Sequence, residues 1–147
     1  MSRPEEQEYR ASFELANVGQ AQVDPHTRRF LSVNRKFADI TGYSREELLA
    51  LAVTDLSHPE HHQRDGQLFD RLVAEEIRDF AVDRRYVRKG GREVWVHLNA
   101  TLVPGNDSQP PRVMIVVQDI TVRKAEQDEI ARLNRDLKRR VEELQTV

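Results

Sequence analysis

Between Pro111 and Val147 a short apolar segment runs without a break into a long charged helix, and this junction restricts the chain to few architectures. Val113, Met114, Ile115, Val116 and Val117 follow Pro110-Pro111 and read as a buried, β-branched strand. Asp119-Ile120-Thr121 forms the joint. Beyond it Ile130, Leu133, Leu137, Val141 and Leu144 recur at spacings of three and four, on one face of a helix otherwise rich in charge. A strand continuous with such a stem can carry a change in the interior of a domain to whatever lies at the stem's end. The pattern points to a signalling input module rather than an enzyme.

The stem can be phased as a coiled coil. With Ile130, Leu137 and Leu144 at heptad position d, position a holds Gln127, Asn134 and Val141, and Leu133 falls at g. A polar Asn134 at position a specifies a parallel two-stranded register at some cost in stability. The other phase places Arg140 at d, which disfavours it. A helix packed back on its own sheet is the competing arrangement.

Charged residues make up 33% of the chain and hydrophobic ones 38%, a polar balance explained by setting this helix aside as a solvated stem. The net charge of −2 favours neither a nucleic-acid nor a membrane-surface partner. No apolar run is long enough for a bilayer, and the acidic start at Glu5-Glu6 is unlike a signal peptide, so a soluble, cytoplasmic module is expected. With no cysteine, thiolate nucleophiles, disulfides and thiol-tethered cofactors are excluded.

Upstream of the junction the periodicity predicts an N-terminal cap helix within residues 1–16, carrying Tyr9 and Phe13, then a core over 17–120 and the linker helix over 121–147. Residues 20–23 and 30–33 read as a hairpin across Asp24-Pro25. Short helices follow. Asn34 is a candidate cap for the first, and Ser44 with Glu47 forms a capping box beside a Tyr43–Leu48 staple, with Leu48, Leu49 and Leu51 turned to the core. A further helix opens at His58-Pro59 with Leu68, Phe69, Leu72 and Val73 as its buried stripe. Then the period becomes two: strands over 80–88 and 93–103 flank Lys89-Gly90-Gly91-Arg92. On the second of these, Val94, Val96, Leu98, Ala100 and Leu102 share the core face, leaving Trp95 on the other face to be covered by the N-terminal helix or a partner subunit. Arg84, Arg85, Arg88, Lys89 and Arg92 read as the solvent edge of the hairpin, balanced by Asp79, Asp83 and Glu93.

These elements, with Val33-Asn34-Arg35-Lys36-Phe37, Thr41-Gly42-Tyr43-Ser44-Arg45-Glu46-Glu47-Leu48, Arg85-Tyr86-Val87-Arg88-Lys89-Gly90-Gly91 and Asp119-Ile120-Thr121 at the joints, resemble the PAS sensory domain over about residues 9–124. The resemblance implies an α+β fold: a five-stranded antiparallel sheet of order 2-1-5-4-3 with short helices cupped over one face. It also implies an internal cavity, expected here to be lined by Phe30 or Leu31, Phe37, Ile40, Leu48, Leu68, Leu72, Val96, Leu98 and Ile115. That space is either filled by side chains or takes a small apolar or amphipathic ligand.

No cofactor is named with certainty. The light-driven flavin adduct and the tethered chromophore of the family both need a cysteine that this chain lacks. The family's haem sensors place their ligand histidine directly before an Asp-Gly pair; here the pair is Asp65-Gly66 and the preceding residue is Arg64, so that position is unfilled. His61 lies one turn earlier on a similar face. His58, His61 and His62 read as a solvated first turn rather than a zinc site, and no hydrolytic or nucleotide-binding motif occurs. The function implied is a sensory and dimerisation module acting as a parallel homodimer. It would relay a ligand or contact signal through Asp119, Ile120 and Thr121 to a downstream effector such as a histidine kinase, cyclase or phosphatase. Trp95, Ile130, Asn134, Leu137, Val141 and Leu144 are the expected dimer contacts. The alternative is a small-molecule or haem-binding protein whose bound group is itself the function.

Overall fold

The computed structural model describes residues 18–145. Alternating burial along Gly19–Val23 (β1) and the return strand Phe30–Val33 (β2) makes the first hairpin. The Asp24 carboxylate folds its turn by accepting from the backbone N–H groups of His26 and Thr27, at 2.8 and 3.0 Å. Helices Arg35–Thr41 (α1) and Arg45–Leu49 (α2) follow, then two 3₁₀ turns at Val53–Asp55 and Pro59–His61, and helix His62–Val73 (α3). Strands Asp79–Val87 (β3), Glu93–Val103 (β4) and Arg112–Asp119 (β5) lead into Thr121–Gln145 (α4).

The strands form one antiparallel sheet of order β2-β1-β5-β4-β3, as the resemblance implies. Local chemistry explains the joints. Gly90 and Gly91 both have φ near +98°, where a side chain would be strained, and so turn β3 into β4. Ser44 Oγ accepts from Glu47 N while Glu47 Oε1 accepts from Ser44 N, completing the capping box. At Gly19 an added Cβ would lie 2.6 Å from Val117 Cγ2, so only glycine lets β1 start this close to β5 and α1.

The inner sheet face supplies Ala21, Val23, Val96, Ala100, Val113 and Val117 to a core completed by Phe30, Phe37, Leu48, Leu56, Phe69 and Leu72. Phe30 and Phe37 meet edge to face, with centroids 5.3 Å apart. Asn34 ties sheet to helices. Its Oδ1 accepts from Phe37 N and Gln20 N, both at 2.9 Å, and its Nδ2 donates to Val18 O at 3.0 Å. The sequence shows the cap; the two bonds to the β1 segment are new.

Some expectations need correction. Leu49 is exposed, whereas Leu48 is fully buried. On α3 the buried residues are Phe69 and Leu72, while Leu68 and Val73 are only half-buried. Leu31 is exposed on β2, and its neighbour Phe30 goes inside. The expected cap helix lies outside the described residues.

Candidate functional site

Two places carry features beyond packing: a small cavity beneath α3 and the joint at which the sheet becomes α4.

The face of α3 that packs on the sheet holds Asp65, Phe69 and Leu72, and His61, at the end of the 3₁₀ turn before it, precedes Asp65 by four residues. Opposite them, β3 turns Phe80, Val82, Arg84 and Tyr86 inward at every second position. Between the two lies a cavity of about 20 Å³, lined by Val53, Thr54, Ser57, Asp65, Phe69, Phe80, Val82, Arg84, Tyr86, Leu98 and Ile115. Its lining is mostly apolar, with one ion pair. Arg84 Nε donates to Asp65 Oδ1 at 2.6 Å, and Arg84 Nη1 donates to Asp83 O at 3.0 Å. Both charged side chains are largely shielded, at 11% and 14% exposure.

Tyr86 is fully buried, and its hydroxyl has no hydrogen-bond partner. Burial pushes its phenol far above the ordinary value, with Asp65 adding to the rise and Arg84 opposing it, so the group stays protonated. His61 Nε2 is likewise buried and unpartnered. Desolvation first, then the Arg84 charge, lowers the pKa of that imidazole, which favours its neutral form. Two orphaned polar atoms thus gather around one ion pair.

Of the residues expected to line a cavity, Leu98 and Ile115 do so. Phe37, Ile40, Leu48, Leu72 and Val96 are buried core residues away from that lining, and Leu68 is half-buried outside it. The cavity therefore lies on the β3 side of the expected ring, among Phe80, Val82, Arg84 and Tyr86. It is far smaller than a haem or a flavin ring. Arg64 is exposed on α3. Among the described residues no three His, Asp or Glu side chains are placed to hold a metal. His58 sits between Glu60 and Glu93, and His62 Nε2 lies 2.7 Å from Ser57 O.

Arg84, read from the sequence as a solvent-edge residue, is buried. Of its hairpin neighbours, Arg85 meets the expected Glu93, and the others find different partners. Arg85 pairs with Glu60 as well as Glu93, Lys89 with Glu47, and Arg88 Nη2 donates to Asp39 O.

At the joint, Ile120 is buried, and its N–H donates to Trp95 O at 2.9 Å. Thr121 Oγ1 accepts from Trp95 N at 3.2 Å and lies 3.5 Å from Trp95 O. The first helical bond of α4 runs from Lys124 N to Ile120 O, so Ile120 rather than Thr121 occupies the cap position. Asp119 does not reach a basic side chain of the hairpin. Its Oδ1 accepts from Thr121 N at 2.9 Å, doing the capping work expected of Thr121. Trp95, half-buried, has the Lys124 ammonium 4.7 Å and the Arg85 guanidinium 5.9 Å from its ring centroid. The chain's own cations thus cover the indole; the residues 1–16 expected over it lie outside the described part.

No described residue of α4 is buried. Ile130, Leu133, Leu137, Val141 and Leu144 are between 45% and 77% exposed, so the helix does not fold back on its sheet. Asn134 is exposed among them. Among the described residues no helix is long and apolar enough to cross a membrane.

Comparison with known proteins agrees with this geometry. The family model described as PAS domain matches residues 20–122. A probable diguanylate cyclase, DgcE of Escherichia coli K12, is 30% identical over 115 residues, which span 78% of this chain and 10% of that protein. The sensor histidine kinase TmoS of Ectopseudomonas mendocina is 26% identical over 90% of this chain and 14% of its own length. A crystallised domain of a sensory box histidine kinase/response regulator from Geobacter sulfurreducens superposes with a TM-score of 0.67 at 26% identity, covering 78% of this chain and 94% of that one. The chain therefore corresponds to a small part of these curated relatives.

Proposed function

This chain belongs to the PAS domain family, and we propose that it works as the input and dimerisation module of a larger signalling protein. It is a sensory domain homologous to those of sensor histidine kinases. The proposal adds a route. A change among Tyr86, Leu98 and Ile115 alters β4 and β5, and reaches α4 through Trp95, Ile120 and Thr121. An effector beyond residue 147, of the kinase or cyclase kind carried by the relatives, receives it.

The observation that carries this reading is the bare apolar stripe on a helix hydrogen-bonded directly to β4. Five large aliphatic side chains on one exposed face favour a second copy of the helix. Asn134 within the stripe favours parallel pairing, which sets both sensory bodies at the same end. Trp95, beside the root of the helix, is proposed to extend the contact.

Sedimentation equilibrium on residues 1–147 tests the dimer. The wild-type chain is expected to dimerise, and Leu137→Lys, which puts a charge at the centre of the seam, to weaken the dimer by more than about tenfold. A wild-type chain that stays monomeric at high concentration would overturn the reading. The joint is tested separately. Asp119→Ala removes only the cap on Thr121 N, at a local cost of about 0.5–1 kcal/mol. Faster amide exchange is expected at Thr121, with the centre of the sheet unchanged; no change at Thr121 would mean that Asp119 does not anchor the helix.

A further inference from the structure

We propose that His61 is a proton sensor: on acidification its imidazole turns out to water and loosens the hold of the Pro59–His61 turn on Arg85, the residue opposite Trp95. This rests on the reading of α4 as the output and names a signal that can reach it.

The ring sits at the step from the 3₁₀ turn into α3, where it occupies the cap position and makes no side-chain capping bond. Its Nε2 is buried without a hydrogen-bond partner, although the residue as a whole is only half-buried. A neutral ring keeps that place at modest cost. A proton on Nε2 would add a desolvated charge beside the positive end of α3.

The charged neighbours offer that proton little. Arg84 and Arg85 of β3 oppose it, while Asp65 of α3 and Glu60 of the turn favour it. Both carboxylates are committed elsewhere, Asp65 to Arg84 and Glu60 to Arg85, each at 2.6 Å. His58, its ring centroid 6.4 Å from that of His61, already lies between Glu60 and Glu93. The adjoining His62 is turned to Ser57 O, and Tyr86 on the inward side of β3 stays protonated. An imidazole held below its ordinary value of about 6.5 takes its proton first in the exposed arrangement, so the buried arrangement loses ground as pH falls below that value.

The turn is fastened to β3 through Arg85. His58 N donates to Arg85 O at 2.8 Å, and Arg85 Nη2 donates to Glu60 Oε2 at 2.6 Å. Arg85 pairs across the sheet with Trp95, whose backbone holds Ile120 and Thr121. Release of His61 therefore acts on the root of α4 through two residues, Arg85 and Trp95.

The test is an NMR titration of residues 1–147 from about pH 7.5 to about pH 5, following the His61 ring and the amides of Arg85, Trp95 and Lys124. The His61 midpoint is expected below the ordinary imidazole value, and the three amides should shift with that same midpoint. His61→Leu keeps an apolar side chain, cannot take a proton and should abolish that component. His58→Gln and His97→Gln remove the other histidines near Arg85 and Trp95 and should leave it in place. A His61 midpoint at or above about 6.5, or amide shifts that persist in His61→Leu, would overturn the proposal. If His61→Leu does not fold, the wild-type chain decides alone: amides that follow a midpoint other than that of His61 sink the relay. Dimerisation is measured separately at neutral pH, so an intact dimer whose root ignores His61 defeats the sensor alone, whereas a monomer defeats the reading of α4.

Discussion

Asn34→Ala is expected to lower the stability of the domain by about 3 kcal/mol, because one side chain closes three backbone groups at once. The substitution deletes the cap of α1 and also frees Gln20 N and Val18 O at the start of β1. Asn34 is fully buried, so water does not readily replace what is lost. Asn34→Asp separates the two roles. A carboxylate still accepts from Phe37 and Gln20 but cannot donate to Val18 O, and it adds a buried charge. Urea unfolding of the two variants should rank both well below wild type. A loss for Asn34→Ala no greater than an ordinary surface cap, about 1 kcal/mol, would show that the bonds to the β1 segment carry no weight.

Asp65→Ala is expected to cost a comparable amount, about 3–5 kcal/mol, for a different reason. It leaves the Arg84 guanidinium shielded from water without its carboxylate. The attraction between the two charges is not the main term; the stranded charge is. Replacing both partners by apolar residues of similar size, Asp65→Leu with Arg84→Met, should therefore recover most of the loss. A double-mutant cycle measures this directly. If the double variant is as unstable as the single ones added together, the pair is not coupled and the burial argument fails.

Much of the fold is legible in the residues, and the legible parts share a cause. Strand alternation and the Gly90-Gly91 turn are local, and so place β3 and β4 within one residue of the periodicity reading. The capping box at Ser44 is a contact between residues three apart. What is not legible depends on phase and partner. Each residue turns a helix by about 100°, so an ambiguity of one position exchanges Leu68 for Phe69 at the cavity wall. Arg84 was concealed by its charge. The parity of β3 nonetheless puts it on the inward side with Phe80, Val82 and Tyr86, and Asp65 and Phe69 share the matching helical face. Parity was the signal available there, and charge outweighed it. The Thr121 hydroxyl shows a third limit. Its sequence position suits a cap, but the neighbouring Trp95 amide, which no local pattern reveals, claims it.

The two-point attachment of Ile120 and Thr121 to Trp95 bears on what a distant domain would sense. A 25-residue helix extends about 37 Å from that root. If the root is clamped to the plane of the sheet, a tilt of about 5° in the central strands displaces the far tip by about 3 Å, more than half a helical turn of rise. Gearing of this kind means that the interior need change very little, and that the precision of the response is decided by the backbone N–H and C=O of one residue, Trp95.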